Sequence, residues 1–213
     1  MLDDSYLSAG IGALGKAIDH SWAQGHFGCA CIATYLLCAE PELPPQTRRA
    51  LGVELDKMMA SRGHLFGPPE PLPAVSDAAQ RIAAALQPSI AKLCHGGHNV
   101  IYAALALKAI DRMPRAGFAQ VVDGVCRLLE AVGGLPQPVD CFGIDVSGLT
   151  GDQDDSVPRY TGPEHLAEAV FEEILSFEPM FYEIQGIVGH LVTHAHSLVE
   201  VERLGHPKLA RQG

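Results

Sequence analysis

His98-Asn99-Val100-Ile101-Tyr102-Ala103-Ala104-Leu105-Ala106-Leu107-Lys108-Ala109-Ile110 is apolar on almost every side. A helix with no polar face belongs at the centre of a fold, not on its surface. Pro114 ends the pattern downstream, and Gly96-Gly97 precedes it. Outward from this segment, Ile82, Leu86, Ile90 and Leu93 recur at helical spacing within 76–93, with Ser76 placed as an N-cap. On the other side Val121, Val122, Val125, Leu128, Leu129 and Val132 form one apolar stripe, which predicts an amphipathic helix.

The same order stands earlier in the chain. Leu7, Ile11, Leu14, Ile18 and Trp22 step by three and four, one face of a helix. Residues 26–39 are again apolar nearly all round, through Phe27, Cys29, Ala30, Ile32, Tyr35, Leu36 and Leu37. The run Glu40-Pro41-Glu42-Leu43-Pro44-Pro45 ends that segment, and Leu51, Leu55, Met58 and Met59 mark a third helix. Gly67-Pro68-Pro69 through Pro73 reads as a linker.

Residues 133–160 hold no period, and Gly, Pro and Asp are common there. They predict a long loop with one short strand at 141–146, the natural candidate for a lid. Thr161-Gly162-Pro163-Glu164 has capping-box spacing with Pro in the first turn, so a helix is expected through Phe177. Pro179 opens the next segment, and a last helix is expected from 190 to 204. Strand signals are almost absent. The chain is therefore predicted to be all-α, a single domain over 1–213 of about eight helices. Helical hairpins would sit in an α/α-toroid-like or bundle arrangement around buried central helices.

Composition narrows the function classes. Hydrophobic residues make up 47% and charged residues 19%, too apolar for a disordered chain. A net charge of −10 and the lack of any Lys/Arg run speak against nucleic acid and against a basic membrane-surface helix. No apolar stretch is long enough to span a bilayer, so no membrane partner is expected. Met1-Leu2-Asp3-Asp4 is acidic where a signal peptide would be basic. Cys29, Cys31 and Cys38 lie in an apolar run as small core residues, so a cytoplasmic location is expected.

Three pairs stand out: Gly25-His26, Gly97-His98 and Gly189-His190 each open one of the most apolar segments. Laid on these pairs, Val100 matches Val192 and Ala103 matches Ala195. This suggests a pseudo-repeat with units at 4–65, 76–132 and 161–213, the 133–160 loop being the extra length. If the three helices pack side by side, His26, His98 and His190 meet at one end.

Three neutral imidazoles with an open fourth position form a common catalytic metal arrangement, suited to Zn or Fe. Glu183 lies seven residues before His190 and can complete or orient the set. His190 and His194 are four apart, so both project from one helical face, a metal-ligand spacing. They compete as a pair, with His95 or His98, against the three-fold set. A second use needs no metal: helix N-termini attract anions, and His98, His190 or His194 can act as general base or acid. Tyr102, one turn after His98, can then donate to a developing oxyanion. A histidine at a helix start can equally cap or fill a polar end. His64, His165 and His206 are assigned to the surface, and Cys94 is considered as a nucleophile beside His95.

Two short stretches carry resemblances. Asp152-Gln153-Asp154-Asp155 resembles, over those four residues, the DxDD acid motif of class II terpene cyclases, which are also helical toroids. A Gly/Pro-rich loop with three Asp is otherwise a solvated turn or a loose divalent-cation site. His190-Leu191-Val192-Thr193-His194 through Leu204-Gly205 is similar to the last helix of DinB-type metal-binding bundles. The rest of the chain does not follow that layout. The expectation is a small-molecule enzyme with a His-rich, metal-dependent pocket at the helix N-termini. Two alternatives stand beside it: a metal-free His isomerase, lyase or cyclase, and a non-catalytic ligand-, metal- or assembly-binding protein.

Overall fold

The computed structural model describes residues 2–67, 73–135, 140–141, 144–145, 160–176 and 185–213. Its α-helices are α1 Asp4–Ala17, α2 Gly25–Ala39, α3 Pro45–Ala60, α4 Gly63–Phe66, α5 Ala78–Leu86, α6 His98–Arg112, α7 Ala119–Gly133, α8 Pro163–Ser176, α9 Gln185–Arg203 and α10 Pro207–Ala210. The protein is all-α, as its periodicity implies. The short strand expected at 141–146 is a two-residue pair, β1 Asp140–Cys141 against antiparallel β2 Ile144–Asp145. Residues 136–139, 142–143 and 146–159, which include the Asp152–Asp155 motif, lie outside the described residues, as do Pro179 and Glu183.

Helix α6 is the centre, as its lack of a polar face demands. His98, Asn99, Val100, Tyr102, Ala103, Ala104, Ala106, Leu107, Ala109 and Ile110 are all buried. Around it, α1, α2, α5, α7, α9 and α10 contribute to the same hydrophobic core, with Leu7, Leu14, Ile32, Ile82, Leu128, Leu198 and Leu209 among its members. The sequence makes helix α2 equally apolar, yet it buries one side only. Ala30 and Ala33 face solvent and Leu37 is 46% exposed. Its apolar count comes largely from small side chains, which cost little to expose.

Two boundaries moved for identifiable reasons. Asp3 caps α1 by accepting from Ser5 N at 2.8 Å, but the helix stops at Ala17 and does not carry Trp22. Ser21 Oγ accepts from Ala23 N at 3.3 Å and starts a new short turn, Trp22–Gln24, that runs into α2. Helix α5 ends at Leu86, not near 93, because Pro88 lacks the N–H a helix interior needs. Its N-cap is Asp77, with no side-chain cap bond, in place of Ser76.

Glycine sets the closest helix crossings. A Cβ on Gly28 of α2 would lie 2.6 Å from Leu14 N and 2.8 Å from Gly10 O of α1. A Cβ on Gly124 of α7 would overlap the Gly15 backbone of α1. Backbone cannot yield as a side-chain tip can. Gly124→Val is therefore expected to destabilise the fold by about 3 kcal/mol, the upper range for overpacking. Urea denaturation reads this as a lower midpoint at constant m-value; an unchanged midpoint would mean that α1 and α7 do not touch in this way.

The buried thiols are packing groups. Cys29, Cys31, Cys38 and Cys94 are free and buried. Burial pushes the Cys29, Cys31 and Cys94 thiols up, Cys31 to about 12. A thiol held protonated is a poor nucleophile, which counts against the Cys94 reading. Among the described residues, no helix is long and apolar enough to cross a membrane.

Candidate metal centre

The three histidines paired with glycine converge. His98 Nε2 lies 2.8 Å from His26 Nε2 and 3.2 Å from His190 Nε2. The ligand atoms of His26, His98 and His190 all lie within 4.8 Å of one another. They come from three elements: His26 from the first turn of α2, His98 from the first residue of α6, and His190 from inside α9. The last placement corrects the expectation that His190 opens its helix. Helix α9 begins at Gln185, so only two of the three sit at helix N-termini.

Two of the rings are oriented in the same way. His26 Nδ1 lies 2.7 Å from Ala23 O, and His98 Nδ1 bonds to His95 O. A carbonyl can only accept, so each Nδ1 carries the proton and donates it. In its neutral form, each ring so anchored turns an unprotonated Nε2 inward. Burial holds the His98 pKa down to about 4, with the neighbouring His26, His190 and His95 adding to the effect against the opposing His95 carbonyl. His98 is therefore neutral at pH 7. Two lone pairs facing each other at 2.8 Å repel unless a cation or a shared proton lies between them.

The local backbone explains how α6 delivers this. His95, Gly96 and Gly97 have φ of 46°, 75° and 86°, three left-handed residues in a row. Two of these positions suit glycine, while His95 pays about 1–3 kcal/mol for its conformation. The turn aims the His95 carbonyl at His98 Nδ1. At Gly97 it also removes a side chain from the path of α9: a Cβ there would overlap the His194 ring, whereas one on Gly96 would only touch His190 Cδ2 at 3.4 Å. Gly25 has a parallel role, since a Cβ there would lie 2.7 Å from the Tyr102 ring. Gly189 has nothing within 4 Å of such a Cβ.

Two residues given chemical roles from the sequence stand differently. Tyr102 is 1% exposed and turned away from solvent. Its hydroxyl lies 3.3 Å from Trp22 O and 3.0 Å from His26 Nδ1. With Nδ1 protonated, the hydroxyl donates to Trp22 O and braces His26 from behind. Burial pushes its pKa up, so it stays a neutral phenol. That placement opposes the oxyanion role. His194 is not one of the three clustered rings. Its Nδ1 is shielded, lies against Gly97, and makes no hydrogen bond of ordinary geometry. Burial lowers its pKa. His190 and His194 do share one face of α9, but each meets a different residue of the α6 turn.

The cluster opens on one side. His98 is buried, His190 half-buried and His26 exposed. Trp22 and His95 form a wall, their ring centroids 4.2 Å apart, with Trp22 also 5.1 Å from His98. The sequence offers His95 only as an alternative ligand beside His190 and His194, and its periodicity places Trp22 on α1; neither is expected as a wall, because the strained turn that positions His95 has no periodic signal. His64 and His165 are exposed as expected, whereas His206 is half-buried.

For an ion bound at ~2.0–2.1 Å by tetrahedral nitrogen donors, the nitrogens stand ~3.3 Å apart. The His98–His190 separation of 3.2 Å matches this, the His26–His98 pair at 2.8 Å need open by about 0.5 Å, and the set as a whole, which spans up to 4.8 Å, must draw His26 and His190 together. The three side chains could thus hold a metal ion. No family model, curated protein or solved structure matches this chain, so its own geometry carries the functional reading.

Proposed function

We propose that this protein binds one divalent transition-metal ion, zinc or iron, through His26, His98 and His190, and works on a small molecule at the open side of that centre. One observation carries the reading: His26 and His98 are each committed at Nδ1 to a backbone carbonyl, and so present two bare Nε2 atoms to one point. Carbonyl-anchored imidazole is the usual second layer of a protein metal site, where it fixes the tautomer and ring direction. A centre with three protein ligands leaves a position for water or substrate, and the ion there acts as a Lewis acid. The exposed His26 side gives access to that position, and Trp22 supplies an apolar wall beside it. Neutral imidazole suits Zn and Fe(II) alike.

In this reading Tyr102 is a positioning residue. Tyr102→Phe removes the hydroxyl that braces His26 and keeps the ring that packs on Gly25. Zinc affinity is expected to fall about 10–100-fold, the usual effect of an outer-shell loss. A competition titration against a chromophoric chelator measures it; unchanged affinity would show that Ala23 O alone orients His26.

The reading as a whole is tested by elemental mass spectrometry on untagged protein, before and after chelation, with His98→Ala and His190→Ala. Near one equivalent of Zn or Fe in the wild type, lost in both variants, supports it. No metal after reconstitution overturns it and favours the alternative in which a shared proton joins His26 and His98 and the cluster does metal-free acid–base chemistry.

A further inference from the structure

We infer that metal loading docks residues 189–194 of α9 onto the α6 turn, so that the centre is closed by its own third ligand. This rests on the metal reading above. The two halves of α9 are held by different forces. Ala195, Leu198, Val199 and Val201 of the second half are buried in the core. Lys108 Nζ of α6 also meets Glu200 Oε2 at 2.6 Å. Between Gly189 and His194, by contrast, no side chain is fully buried. Gly189 and Thr193 are exposed, Leu191 is 41% exposed, and Thr193 Oγ1 donates back to Gly189 O of its own helix at 3.0 Å.

What residues 189–194 bring to the α6 turn is two imidazoles, while Val192 of the same stretch is half-buried. His190 reaches His98 Nε2 and passes over Gly96, while His194 lies on Gly97. Over 189–194 the seam is two imidazoles against glycine backbone, with no fully buried apolar side chain to hold it shut. A bound ion ties His190 to His26 and His98, and ligation energy then becomes docking energy for this stretch of the helix. Segments with few buried apolar contacts are those that open locally. Opening of 189–194 would remove one ligand and leave two, which gives the ion a route in and out.

Hydrogen exchange read by mass spectrometry tests this on the full chain, with EDTA or with one equivalent of zinc, and zinc occupancy measured on the same samples. Zinc is expected to slow exchange in 189–194 at least tenfold in the wild type at the short labelling times that report local opening, before the core segment 197–203 exchanges in either state. In His190→Ala the slowing should vanish. Zinc bound at one equivalent with no change in 189–194 would overturn the docking inference and leave the metal reading intact. Zinc not bound at all would overturn both. The wild-type comparison stands alone if His190→Ala fails to fold.

Discussion

His98→Ala is expected to lower zinc affinity by about 10²–10³-fold. His98 is the central ring, in contact with both His26 and His190, so its loss breaks the set into two separated imidazoles. A structural zinc contributes ~10–16 kcal/mol through four ligands, so one ligand's share is ~2.5–4 kcal/mol. At about 1.4 kcal/mol per factor of ten, that gives the expected range. Competition against a chelator of known affinity provides the number, and circular dichroism checks that the variant folds. His98→Gln, which keeps a polar side chain in the buried position, should lose affinity to a similar degree. His165→Ala is the control, since that ring is exposed on α8 and outside the cluster. Equal zinc affinity in His98→Ala and the wild type would remove the cluster from consideration as a metal site.

The second large effect is on stability. An ion that binds the folded chain and not the unfolded one stabilises it by about 4 kcal/mol at a thousandfold excess over Kd. For chains of 150–250 residues each kcal/mol raises Tm by roughly 2–4 °C. Saturating zinc should therefore raise Tm by about 8–16 °C, and EDTA should reverse the change. In His98→Ala, at the same zinc concentration, the shift should shrink to about 1–6 °C, because the weaker Kd leaves only ~0.4–1.4 kcal/mol. A rise of the wild-type size in that variant would point to zinc held elsewhere, and no rise in the wild type would mean no folded-state site.

Parts of this account were readable in the amino-acid sequence. The apolar run from His98 to Ile110 predicts a central helix, and α6 is the most buried one described. The Gly-His pairs drew attention to His26, His98 and His190, and those rings do meet. Their glycines have reasons that periodicity does not reveal. Gly25 makes room for Tyr102 and Gly97 for His194, whereas Gly189 has no such neighbour, so the third match has no packing counterpart. The matched pairs therefore located the site without establishing a repeat.

Other features left no local trace. Gly10, Gly15, Gly28 and Gly124 set how closely α1 approaches α2 and α7, a tertiary matter that no window of sequence shows. Trp22 joined the His cluster because Ser21 restarts the helix, which overrode an apolar step that fitted α1. The second contacts that orient the rings, Ala23 O and His95 O, are main-chain atoms three residues before each histidine. Backbone acceptors have no side-chain signature, so the tautomers that make both Nε2 atoms available appear only in three dimensions. The i, i+4 spacing of His190 and His194 fits a shared face, yet the Gly97 backbone, not a common ion, receives the second ring.

X-ray absorption at the zinc edge of the loaded protein tests the central claim most directly, because it counts the ligands. Three imidazole nitrogens at ~2.0–2.1 Å, with the multiple-scattering pattern of histidine rings and one further light-atom ligand, are the result the account predicts. A sulfur shell at ~2.3 Å, or a light-atom shell without the imidazole pattern, would contradict it.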